Sequence, residues 1–141
     1  MISKELAQII DDLKKQEGMA FPEAASEEQI ELFEKEHKLK LPQKYKEWLL
    51  FSDGGELYLP GGVQMYGVAH KPFINLSDSN RPNDNYIVIG SLSSGDPILC
   101  EKEGERIAIY NLEDGKIEDD EVYDDYFSFL KGLYELLGIE S

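Results

Sequence analysis

Leu41-Pro42-Gln43-Lys44-Tyr45-Lys46-Glu47-Trp48-Leu49-Leu50-Phe51-Ser52-Asp53-Gly54-Gly55-Glu56 is the stretch that decides how this chain folds. Pro42 suits the first turn of a helix, where its missing N–H and fixed φ do no harm. Tyr45, Trp48 and Leu49 recur at i, i+3 and i+4, so two aromatic rings and a leucine share one helical face. Gly54-Gly55 is expected to stop that helix, because a left-handed C-terminal cap is sterically cheap only for glycine. Beyond it, Glu56-Leu57-Tyr58-Leu59 changes to period two and reads as a strand. The segment is a helix-to-sheet corner, and it holds the only tryptophan of the 141 residues.

Upstream of this corner the pattern is helical. Ser3 suits an N-cap, and Leu6, Ile9, Ile10 and Leu13 follow i, i+3, i+4, i+7, which predicts a helix over 3–16 with Gly18 as its stop. Ser26-Glu27-Glu28-Gln29 fits a capping box and opens a second helix. There Ile30, Phe33 and His37 share a side, and Glu31–Lys35 and Glu34–Lys38 are spaced as i, i+4 ion pairs.

Downstream the grammar is that of strands. Leu57/Leu59 and Val63/Met65 flank Pro60-Gly61-Gly62 as a hairpin or two short neighbouring strands. Residues 77–85, polar and proline-punctuated, read as a surface loop. Tyr86-Ile87-Val88-Ile89 is continuously apolar and β-branched, as in a strand covered on both faces. Gly90 to Gly95-Asp96 reads as a turn. Ile98-Leu99-Cys100 and Ile107-Ala108-Ile109-Tyr110 are two more strands, and Asn111 to Gly115 turns the chain back at Lys116-Ile117. A last helix is expected over about 124–138, with Tyr126, Phe129, Leu130, Leu133 and Leu137 on one face and Gly138 as its stop. Helices, then strands, then a helix define an α+β class: N-terminal helices, a central mostly antiparallel sheet, and a C-terminal helix packed on it. One domain over 1–141 is expected, large enough to hide roughly 70% of the surface its unfolded chain exposes.

Charge narrows the function classes. The net charge is −15. Residues 1–51 hold eleven acids and eight bases, whereas residues 52–141 hold eighteen acids and six bases. A phosphate backbone or an anionic membrane needs the opposite sign, so neither is an expected partner. A basic protein is the natural complement, although an acidic surface also serves solubility alone. No apolar run approaches a membrane span, and Met1-Ile2-Ser3-Lys4-Glu5 lacks the basic-then-apolar order of a secretory leader. With a lone cysteine, Cys100, in an apolar strand, a reduced cytoplasmic protein is the expectation.

Catalytic constellations are thin. His37 and His70 have no partner at motif spacing, and Cys100 lacks basic neighbours that would make it a thiolate. No nucleophile elbow, Walker loop or dinucleotide fingerprint occurs. A calcium loop with Gly115 at position 6 would place Tyr110 and Leu112 at ligand positions 1 and 3, so it is rejected. No catalytic residue, metal or cofactor is expected. What remains is an acidic run: Glu113, Asp114, Glu118, Asp119, Asp120, Glu121, Asp124 and Asp125. Either it is a solvated loop ahead of the last helix, or it is the docking surface for a basic partner.

These residues resemble the SUKH superfamily, the Smi/Knr-like domains of bacterial immunity proteins and of a fungal cell-wall regulator. Leu41-Pro42, Tyr45, Trp48-Leu49 and Gly54-Gly55 look like that family's LPxxYxxWL…NGG segment, with Asp53 where asparagine is usual. Ile89-Gly90 and Gly95-Asp96-Pro97-Ile98 are similar to its second block, and Tyr126, Phe129 and Leu130 to its closing FxxFL helix. The resemblance runs from about Ser26 to Leu137. It implies an α+β fold with no enzymatic activity, and an immunity protein that binds and neutralises a cognate toxin domain. No toxin-contacting residue carries over, since the matching motifs are structural. The acidity of this chain suits a basic, nuclease-type toxin, met by a monomer or weak dimer. The alternative, implied by the fungal relatives, is an intracellular regulatory or scaffold domain. An enzyme would need carboxylates such as Asp53 and Asp96 to converge in one pocket.

Overall fold

The computed structural model describes residues 2–59, 61–76 and 81–137, the side chain of Tyr134 excepted. Its elements are α1 (Lys4–Lys14), α2 (Glu27–His37), α3 (Gln43–Leu49), β1 (Gly55–Leu57), β2 (Val63–Met65), β3 (Tyr86–Leu92), β4 (Pro97–Glu101), β5 (Ile107–Asn111), β6 (Lys116–Tyr123), α4 (Tyr126–Lys131) and α5 (Leu133–Leu137). The α+β class read from the pattern is the class observed.

The α3 corner carries the helices onto the sheet. Tyr45, Trp48 and Leu49 have no exposed surface. Pro42 sits just before the helix and offers no side-chain cap. Glu105 takes that role from the β4–β5 connection, accepting the N–H groups of Gln43 at 2.7 Å and Lys44 at 3.2 Å. Gly54-Gly55, expected as the helix stop, lies beyond it. The helix closes at Leu50 in right-handed geometry, and Ser52 N–H still bonds back to the Trp48 carbonyl at 2.8 Å. The glycines instead turn the chain into β1, with φ of 94° and 129°. A Cβ on Gly54 would lie 2.6 Å from the Met65 carbonyl oxygen, so glycine is needed for space as well as for φ. Trp48 Nε1–H donates to the Gly54 carbonyl at 2.9 Å, and Ser52 Oγ–H donates to the same oxygen at 2.8 Å.

The Trp48 ring meets Phe51, Tyr126 and Phe21 edge-on, at centroid distances of 5.4, 5.6 and 6.1 Å. Tyr45 packs edge-on against Tyr126 at 4.7 Å, which joins α3 to α4. Edge-to-face geometry sets the positive rim of one ring against the negative face of another. Leu6, Ile9, Ile10 and Leu13 of α1 complete the same core, with Ser3 as the N-cap that accepts from Leu6 N–H.

The six strands form one antiparallel meander in chain order, β1 to β6. Ile87, Ile89, Ile98, Cys100, Ile107 and Ile109 belong to the main core, and Val88, Leu99 and Ala108 are also buried. That is why β3 reads as a continuous apolar run. The β1 end of the sheet is closed: Ala20 and Glu56 exchange backbone bonds at 2.8 and 2.9 Å. Among the described residues, β6 pairs with β5 alone and forms the other edge.

Several expectations are corrected. β3 runs through Gly90 to Leu92 before turning, because Gly90 pairs with both Met65 and Ile98. Leu59 lies past β1 and is exposed, while Pro60 falls outside the described residues, as do 77–80 of the expected loop. The Glu31–Lys35 and Glu34–Lys38 pairs do not form. Glu34 instead faces Lys46 at 3.3 Å and accepts Leu41 N–H at 2.7 Å, since it reaches a partly buried cation and an orphan amide together. His37 is exposed, with its ring 4.5 Å from that of Phe33. The last helix is split at Gly132 into α4 and α5, and Gly138 lies outside the described residues.

Trp48→Ala should destabilise the domain by about 3–5 kcal/mol in denaturant unfolding. Trp48→Phe, which keeps a ring but loses the donor to Gly54, should cost about 1–3 kcal/mol. A near-neutral Trp48→Ala would show that the ring is no part of the core.

Candidate functional site

The acidic run is not one loop. Glu113 and Asp114 are exposed on the β5–β6 turn, Glu118, Asp119, Asp120 and Glu121 lie on the edge strand β6, and Asp124 and Asp125 sit at the β6–α4 junction. Pairing along β6 is regular only at its ends. Tyr110 faces Ile117 and Ala108 faces Val122, so the four consecutive acids 118–121 stand opposite Ile109 alone. A bulge of this kind bends a strand and turns its side chains out of register. Like charges favour it, because an ordinary alternating strand would aim half of them at the core.

Seven of the eight carboxylates have no cationic partner among the described residues within ion-pair distance, and Lys116 is the only base in the run. Sharing a proton with the neighbouring Asp114 carboxyl, then desolvation and the like charges of Asp114 and Asp120, raise the pKa of Glu118 above the ordinary carboxylate value, against the pull of Lys116. Burial, then Asp120 and Asp96, raises that of Glu121. The eighth, Asp125, is occupied: it caps α4 by accepting Ser128 N–H at 2.8 Å and pairs with Lys44 at 2.7 Å. Burial opposes its ionisation, but Lys44 and Ser128 outweigh that and lower its pKa. Asp124, one of the seven, is exposed.

The other titratable groups are tied into the fold. Asp53, fully buried at its side chain, accepts N–H bonds from Val68 at 2.8 Å, Ala69 at 2.9 Å and His70 at 2.7 Å, and its Oδ2 lies 2.8 Å from His70 Nδ1. This carboxylate clasps the loop after β2. The pairing was invisible in the sequence because seventeen residues separate the partners. Asp53 and Asp96 do not line a common cavity: Asp96 accepts Leu112 N–H at 3.1 Å, while Asp53 borders a cavity of about 330 Å³ with Phe21, Glu56, Met65 and Lys71. Burial, aided by Glu105 and Glu101, pushes the Cys100 thiol far above its usual range, so it is no thiolate nucleophile. No group of three or more metal-ligating side chains occurs among the described residues, and no described helix is long and apolar enough to cross a membrane.

Of the structural motif, Leu41, Pro42, Tyr45, Trp48, Leu49, Gly54 and Gly55 come together at the α3 corner, and Gly95 with Asp96 forms the β3–β4 turn. A model of the SMI1 / KNR4 family (SUKH-1) matches residues 24–132, an interval that contains the α3 corner, this turn and α4. No curated protein matches the chain.

Two outcomes follow from this electrostatic arrangement. Asp125 has a folded pKa below its ordinary value, so its stabilisation is complete above about pH 4 and is lost as pH falls through the lower folded value. Asp125→Asn should cost about 1 kcal/mol at pH 7 and flatten the acid limb of a stability–pH curve. Glu118, with a raised pKa, carries the opposite sign: its cost is present at neutral pH and fades on acidification. The triple variant Glu118→Gln, Asp119→Asn, Asp120→Asn should therefore melt higher than the parent at pH 7, and a lower melting temperature would contradict this.

Proposed function

We propose, from the premise that this chain belongs to the SMI1 / KNR4 family (SUKH-1), that it is a non-enzymatic immunity protein that binds and neutralises a cognate toxin domain of basic, nuclease type in the cytoplasm. The observation that carries this reading is the open β6 edge with its four successive acids, none of them ion-paired among the described residues. Such a face attracts a basic surface over a distance of about one Debye length, about 8–10 Å, and repels anions. It also resists edge-to-edge pairing with a second copy of the chain, because like charges would oppose one another. A toxin that handles nucleic acid must itself be basic around its substrate groove. An acidic protein seated there occludes that groove without any covalent step.

Co-expression with a candidate toxin domain of basic, nuclease type is the test. The parent chain should restore survival and co-purify with the toxin. Association should slow about tenfold or more as salt rises from low to several hundred millimolar, because charge of this kind acts mainly on the on-rate. Reversing the sign at Asp119, Asp120 and Asp124 should abolish rescue while far-UV circular dichroism stays unchanged. Full rescue by the reversed variant would overturn the acidic docking face.

A further inference from the structure

Beside the acidic edge lies a groove of about 430 Å³ that the linear sequence does not announce. Its lining is Asp120, Glu121 and Tyr123 from β6, Gly132 from the break between α4 and α5, and Glu135 and Leu136 from α5. Gly132 makes the groove possible. A Cβ there would lie 2.9 Å from the Tyr123 ring, so only glycine lets the helix break approach the strand this closely. Three carboxylates thus share one concavity with an aromatic ring and a leucine, and no cation lines it. The Tyr123 hydroxyl has no hydrogen-bond partner among the described residues, and its ring is held edge-on to Phe129 at 5.3 Å. Burial and the charges of Glu121, Asp120 and Glu135 raise the pKa of Tyr123, in keeping with an uncompensated negative field.

We propose that this groove between β6 and the α4–α5 break receives an arginine side chain of the basic protein partner. Guanidinium fits the lining better than the alternatives. It is planar, weakly hydrated and able to lie along an aromatic ring, and its forked donors can satisfy two carboxylates together. A lysine ammonium offers a compact charge without the fork or the planar face. An anion or a neutral apolar residue would leave three carboxylates desolvated and unpaired. Glu135 is the specific gain: it stands ten residues beyond the acidic run and reaches the same concavity only through the fold.

The inference rests on the partner-binding reading above, yet its test needs no toxin. The full chain is titrated with blocked peptides, Gly-Gly-Arg-Gly-Gly and Gly-Gly-Lys-Gly-Gly, and followed by NMR. The arginine peptide should move the resonances of Tyr123, Gly132 and Leu136 first, and bind at least about threefold tighter than the lysine peptide. Glu135→Gln, an exposed change that should not disturb folding, should weaken the arginine peptide about fivefold; Tyr123→Leu should remove the preference for arginine over lysine. Equal binding of the two peptides, shifts spread evenly to the carboxylates of α2, or an unaltered Glu135→Gln variant would each overturn the groove assignment. Those results would leave the immunity reading standing, since that reading falls only with the co-expression experiment.

Discussion

The hydrogen bond from the Trp48 indole to the Gly54 carbonyl is the constraint on which the rest of this structure depends. It joins the last turn of α3 to the residue just ahead of β1, six positions away, in a buried site. A buried N–H must find an acceptor, and a carbonyl that receives both Trp48 and Ser52 is held in one orientation. That orientation sets the direction in which Gly55 leaves, and with it the register of Gly55 on Met65. β1 and β2 are only three residues each, too short to define their own pairing. They are placed by Trp48 above, by the Ala20–Glu56 bridge outside and by the Asp53 clasp on the loop that follows.

The two ends of the sheet consequently differ in chemistry. At the β1 end every device closes the edge: a paired segment, a buried carboxylate, a cluster of aromatic rings. At the β6 end the strand bulges outward and carries acids in succession. Glu118, through Asp114, and Glu121, through burial, both have raised pKa values, and neither has an ion-pair partner among the described residues. Charge of this kind costs a little stability in the free protein and is recovered only when an opposite charge arrives. Solubility alone needs no such concentration on one edge. The same residues thus discourage pairing with a second copy and favour a basic surface, which is the physical content of the proposed immunity role.

Much of the fold was legible because local rules and tertiary demands agree. Ser3 and Ser26 cap as their spacing predicts, the α1 face of Leu6, Ile9, Ile10 and Leu13 is buried as its period requires, and the isoleucine-rich strands form the sheet centre. What was illegible depends on partners far apart in the chain. Glu105 caps α3 from sixty-two residues away, and Lys44 reaches Asp125 across eighty-one. Glu34 leaves its expected partner Lys38 for Lys46 and the Leu41 amide. Lys116-Ile117 reads as a returning strand, but its continuation to Tyr123 is hidden because four acids in a row mask the alternation that marks a strand, and only the bulge reconciles them with pairing. The acidic residues themselves were visible in the sequence; their gathering on one edge, and the arrival of Glu135 beside them, were not.

Function in this account comes down to which surface of the chain meets its partner. Amide hydrogen exchange on the chain, alone and bound to the basic toxin domain it is proposed to neutralise, reads that surface directly. The account predicts slowed exchange across residues 116–125, with α1 and α2 unchanged on binding. Protection confined to α2 and α3, with β6 exchanging as freely as in the unbound protein, would contradict it.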